Sequence, residues 1–131
     1  MKVAISSTGP NLDSTVDPRF GRCQFLIIVD LHDMSFDPMP NGINTLEGGA
    51  GIQAAKAVVD LGADAVLTGY IGPNAARVLA SAGLNTITGV SGTVREAANQ
   101  FQKGQLRPAQ PIKGRDGLGV ETFQRGARFR E

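Results

Sequence analysis

The stretch from Gly48 to Gly89, GGAGIQAAKAVVDLGADAVLTGYIGPNAARVLASAGLNTITG, constrains the fold more than any other. It reads as glycine turn, helix and strand, and then the same again. Within Ile52–Leu61 the apolar residues Ile52, Ala55 and Val59 recur at helical spacing, while Gln53, Lys56 and Asp60 fill the opposite face. Gly62 suits the positive φ that often follows a helix end. Ala65-Val66-Leu67 is a short apolar run of the kind buried on both faces of a sheet. Pro73 fits a first helical position, where its missing N–H has no partner to lose. Ala75, Val78, Leu79 and Ala82 make a second apolar stripe, Gly83 closes it, and Leu84–Thr88 returns as a strand. Two such units in tandem imply parallel strands joined by right-handed crossovers.

The rest of the chain should complete that sheet. Val3-Ala4-Ile5 reads as the first strand and Phe25–Val29, FLIIV, as a central one. A loop from Thr8 to about Cys23 separates them. Asp30–Asp33 is a turn. Met34–Met39 is a weaker strand, held to an edge by Pro38 and Pro40, which cannot donate to a ladder. Short turns among these three strands favour antiparallel neighbours. A third helix spans Val94–Lys103, with a capping box at Thr93 and Glu96 and an apolar stripe of Val94, Ala97, Ala98 and Phe101.

At 131 residues the chain is long enough for one domain with a real core. Its charge is uneven. Residues 1–104 carry seven Lys/Arg against nine Asp/Glu, a balance of −2; residues 105–131 carry six against three, a balance of +3. The body is therefore not a nucleic-acid binder by composition, and only the basic tail, 105–131, could be one. That tail lacks periodicity and is expected to be flexible. The lone Cys23 cannot form an internal disulfide, which suits a reducing cytoplasm. No apolar run approaches membrane-spanning length, and the opening MKVAIS reads as a strand rather than a signal peptide.

This topology puts the loop after the first strand, the entry to the second and the starts of all three helices on one sheet edge. It is the carboxyl edge of the parallel strands, where open α/β sheets bind ligands. Gly48-Gly49-Ala50-Gly51, Gly72-Pro73-Asn74 and Ser91-Gly92-Thr93 are each expected to offer unpaired N–H groups there, a setting for small anions. Arg19, Arg22 and Cys23 arrive on the same edge. Arginines beside Cys23 would favour its thiolate. The plainer alternatives are that the glycines only make turns, that Cys23 is a small buried apolar residue, and that the arginines pair with Asp13 and Asp17.

The runs RFGRC, GAGIQAA and LTGYIGPNA together resemble the dinitrogenase iron–molybdenum cofactor biosynthesis family, the accessory domain of NifX-type carriers and NifB-type proteins. The resemblance covers residues 1–104. It implies a ribonuclease-H-like α/β/α fold with a mixed five-stranded sheet, order 3-2-1-4-5, strand two antiparallel. It further implies a non-enzymatic, cytoplasmic accessory protein that holds or delivers an anionic metal–sulfur cluster (Fe–S, Mo–Fe–S or Mo–Cu–S) or its precursor. Donor and acceptor proteins would be its partners. Several members have histidine, a suspected cluster ligand, where this chain has Arg19.

One cysteine and one histidine cannot supply a four-ligand structural zinc site, and His32 is expected to be solvated at the far edge. A cluster that brings its own sulfides would be held by Arg19, Arg22, Gly49, Gly51, Gly72 and Asn74, with Cys23 as the metal ligand. A ribonuclease-H-like nuclease would need clustered carboxylates around two metals, which the first strand lacks. A regulatory module for a phosphorylated or carboxylated metabolite uses the same helix starts and is the runner-up.

Overall fold

The computed structural model describes residues 1–41 and 50–106. Gly48, Gly49 and the tail from Arg107 lie outside the described residues. Five strands form one sheet: β1 (Lys2–Ser7), β2 (Phe25–Asp30), β3 (Ser35–Pro40), β4 (Ala65–Leu67) and β5 (Asn85–Ile87). Their order is β3-β2-β1-β4-β5. β2 runs antiparallel to both its neighbours, and β4 runs parallel to β1 and β5. The expected order and the single reversed strand are both present.

Three helices cover the two faces: α1 (Ala50–Asp60), α2 (Pro73–Ser81) and α3 (Val94–Gln102). The period-two alternation of strands decides which residues meet which helix. Val3, Ile5, Ile27, Val29 and Leu67 pack with Val94, Ala97 and Ala98 of α3. Ala4, Leu26, Ile28 and Val66 pack with Ala54, Ala55 and Val58 of α1 and Ala75 and Leu79 of α2. The result is a three-layer α/β/α fold. β4 is fully buried along its length, as its unbroken apolar run requires.

Local signals explain the element ends. Pro73 occupies the start of α2, and Gly62, Gly83 and Gly104 take positive φ just past the three helices. Thr93 Oγ1 accepts the Glu96 N–H, and Glu96 Oε1 accepts the Thr93 N–H, completing the capping box. The edge strand β3 carries Pro38 and Pro40, as expected.

The loop between β1 and β2, expected from Thr8 to about Cys23, spans residues 8–24. Residues 8–24 fold back over the carboxyl edge and pair Val16 with Ser7 and Thr15 with Thr93. Antiparallel pairing of β1 and β2 therefore rests on the sheet register, Ile5 opposite Ile27, rather than on a tight turn.

Candidate functional site

The carboxyl edge holds a crevice of about 310 Å³ on the α1–α2 side, at the small end of ligand pockets. Three elements frame it. A 3-10 turn, Phe20–Arg22, contributes Arg19, Gly21 and Arg22; the start of α1 contributes Gly51 and Ile52; the start of α2 contributes Gly72 and Asn74. Of the residues expected here, Arg19, Arg22, Gly51, Gly72 and Asn74 share this one concavity. Gly49 lies outside the described residues.

Buried polar contacts fix the arginine turn. Asp17 is 3% exposed, and its Oδ1 accepts the Arg19 backbone N–H at 2.9 Å and Nε at 3.5 Å. The Asp17 carbonyl accepts the Ser6 hydroxyl at 2.6 Å, and that hydroxyl also bonds Thr68 Oγ1 at 2.7 Å. The turn is thus tied to the ends of β1 and β4. It is tied again to the loop after β4, where the Phe20 N–H donates to the Tyr70 carbonyl at 3.0 Å. This approach needs Gly69: a Cβ there would stand 2.6 Å from Pro18 Cα. Arg19 accordingly pairs with Asp17, one of the two expected partners. Asp13 instead binds Arg95 at 3.0 Å, and no carboxylate among the described residues pairs with Arg22.

Cys23 follows the plainer expectation, a small buried apolar residue, and not the thiolate expected beside arginines. It is 3% exposed, packs in the α1–α2 layer and does not line the crevice. Its Sγ donates to the Phe20 carbonyl at 3.1 Å. Burial pushes the thiol up to about 11; the Asn41 amide offsets part of this, and the Asp17 charge adds to it. The arginines point to solvent while the cysteine two positions from the turn's centre points inward, so sequence proximity misleads. Among the described residues no three His, Cys, Asp or Glu side chains gather to hold a metal ion.

The three helix starts also differ. At α3 the N–H groups of Val94, Arg95, Glu96 and Ala97 are taken by Ser14 O, Leu12 O, Thr93 Oγ1 and Thr93 O. The 8–24 loop has closed that end, so Ser91-Gly92-Thr93 offers no anion site. At α2, Gly72 is the N-cap and has no side chain to give, and among the described residues nothing caps the Asn74 and Ala75 N–H groups. These donors open on the crevice. Sequence reasoning missed Tyr70, which is 66% exposed at the mouth, and Arg77, whose Nη1 donates to Asn74 Oδ1 at 3.2 Å. Tyr70 stood in a glycine-flanked turn, and its isolation as the chain's one tyrosine was the available signal.

The family model for the dinitrogenase iron-molybdenum cofactor matches residues 1–104. The chain belongs to that family. Solved structures similar to it include the apo form of the orange protein from Desulfovibrio gigas, 41% identical, with a TM-score of 0.80 over 82% of this chain and 92% of that one. A Thermotoga protein of suggested NifB identity is 30% identical, with a TM-score of 0.73 over 88% and 98%. An uncharacterised protein of Methanocaldococcus jannaschii is 26% identical over 81% of this chain and 89% of its own length. Membership of the iron-molybdenum cofactor family suggests a cofactor-related accessory role for the chain. Among the described residues no helix is long and apolar enough to cross a membrane.

Proposed function

We propose that the chain is a non-enzymatic accessory protein that binds and carries an anionic metal–sulfur cluster, or its precursor, in the carboxyl-edge crevice. The observation that carries this reading is the convergence, on a single concavity, of two guanidiniums from one turn with the start of α2, uncapped among the described residues. The donor set fits a cargo that brings its own sulfides: it supplies positive charge and N–H groups, and no soft ligand. Arg19 and Arg22 hold the charge, the Asn74 and Ala75 N–H groups fix its position, and Ile52 and Tyr70 line the rest. Cys23 supports the turn from behind through its bond to Phe20 O. Family membership, and a 41% identical neighbour named for its colour and solved as an apo form, support a chromophoric cargo. Partners would be the proteins that supply and accept the cluster, and the compartment the cytoplasm.

Anaerobic reconstitution with iron and sulfide, or with tetrathiomolybdate, tests the reading through visible absorption. Arg22→Ala should weaken uptake about tenfold, the scale of a charge-assisted hydrogen bond, and Cys23→Ser should leave it nearly unchanged. The opposite ranking would make Cys23 a ligand and reject electrostatic holding. A colourless protein under all conditions that instead binds phosphorylated or carboxylated metabolites would favour the regulatory reading, for which the exposed Tyr70 ring is the supporting feature.

A further inference from the structure

We propose that a second groove, on the sheet edge opposite the crevice, is the docking site of this chain's own carboxyl-terminal segment. Residues 107–115 cross it as an extended strap, with Ile112 seated against Leu31 and Phe101, in place of the flexible tail that their lack of periodicity implies. The inference goes beyond the cargo reading and does not rest on it.

The two faces of the sheet are unequally covered. α1 and α2 share one face, and α3 alone covers the other. On the α3 face Phe36 of β3 stands opposite Val29, a member of that core, yet it is 41% exposed. Beside the end of α3, a groove of about 360 Å³ is lined by Met1, Leu31, His32, Phe101 and Gln102. Its wall is held in place: the Leu31 N–H donates to Met1 O at 2.9 Å, and the Leu31 carbonyl accepts Gln102 Nε2 at 2.9 Å.

The described chain ends next to this groove. Gly104 takes a φ of 77°, and the Gly104 and Gln105 N–H groups donate to Phe101 O and Gln100 O at 3.0 and 2.8 Å, so the chain turns back past the end of α3. Leu106 then packs against the α3-side core. Phe101 packs on the same core and lines the groove. Ile112 follows six residues after Leu106, a reach of up to about 20 Å. Pro108 and Pro111 restrict the backbone between them, which lowers the entropy lost on docking, and so short a tether keeps the effective concentration high.

Charge sets the direction of the strap. Residues 107–115 carry Arg107, Lys113 and Arg115 and no acid. In the turn that bears His32, Asp33 Oδ1 accepts the Ser35 N–H at 2.9 Å, and among the described residues no salt bridge reaches Asp33. Asp30 stands opposite Lys2 in the sheet, so Asp33 is the carboxylate that meets Lys113.

The experiment uses the full chain in solution, at two protein concentrations about tenfold apart. NMR should show contacts between the Ile112 methyls and the Phe101 ring at both. Ile112→Glu should move the amides of Leu31, His32 and Gln102 and leave those of Arg22 and Asn74 in place. It should also speed trypsin cleavage after Lys113 about tenfold, because cleavage follows the population of the released segment. Asp33→Asn keeps an acceptor for Ser35 and removes the charge; it should speed cleavage less, and its effect should fade at about 1 M salt. Amides at the groove that ignore Ile112→Glu, or equal cleavage of that variant and the wild type, overturn the inference. Contacts that appear only at the higher concentration would put the segment in the groove of a second copy, which also overturns it. None of these readouts touches the crevice, so the carrier reading stands or falls separately.

Discussion

Cys23 shows how a single residue's surroundings set its chemistry. The sequence places it one position after Arg22, which suggests a low-pKa thiolate; the fold turns it inward, and burial dominates. Its folded-state value, about 11, is above the ordinary 9.0, so folding favours the neutral thiol. That contribution is fully present below about pH 9 and is lost as pH rises through 11. A two-unit shift corresponds to at most about 3 kcal/mol. Chemical denaturation across that window should show the wild type losing stability faster than Cys23→Ala, whose curve lacks this component. Parallel curves would mean that the thiol is hydrated. A buried, protonated thiol also explains why the cargo reading rests on Arg19 and Arg22. Those two charges were legible in the sequence because DPRFGRC brings them to the expected edge. Burial of Cys23 was legible as the plainer alternative, but its partners were not, since they are the Phe20 carbonyl and Asn41, 18 residues away.

Among the elements, the helices were the most legible and their starts the least equal. Apolar spacing, Pro73, the Thr93–Glu96 pair and the closing glycines gave all three helices to within a few residues. Which starts are free was not legible, because that depends on where the 8–24 loop lands. It lands on α3, pairing Thr15 with Thr93, and leaves α2 open. Thr93→Ala removes one cap bond and should lower stability by about 1 kcal/mol, read as a fall in Tm. The same change should leave cargo uptake intact, because the α3 start is already closed by Leu12 and Ser14. A variant that folds normally but loses uptake would place the site at α3 instead. Gly72 sits in open space, with nothing within 4 Å of a built Cβ, so its role at α2 is to leave the cap vacant rather than to relieve crowding.

At the scale of the molecule, both edges of the sheet carry mixed charge. Arg19, Arg22 and Arg77 stand around the carboxyl edge with Asp13 and Asp17 in the loop that covers it, while Asp30, Asp33, Asp60 and Asp64 lie at element ends on the opposite edge with Lys2 and Lys103. The sheet order, readable from the tandem units and the reversed FLIIV strand, brings the two arginines of the turn to the crevice. With a formal net charge of +1, overall attraction is weak, and the local arrangement must do the steering. Association of an anionic cluster should therefore slow as salt rises, since the Debye length falls from about 10 Å at 0.1 M to about 3 Å at 1 M. Stopped-flow absorption checks this, and a rate indifferent to salt would remove electrostatic holding from the account. The most direct measurement is anomalous scattering at the metal edge from crystals of the reconstituted protein. The account predicts one metal peak in the crevice, bounded by Arg19, Arg22, Gly72 and Asn74, with no bond to Cys23 Sγ. A peak bonded to Cys23, or one beside Met1 and His32 on the far edge, would contradict it.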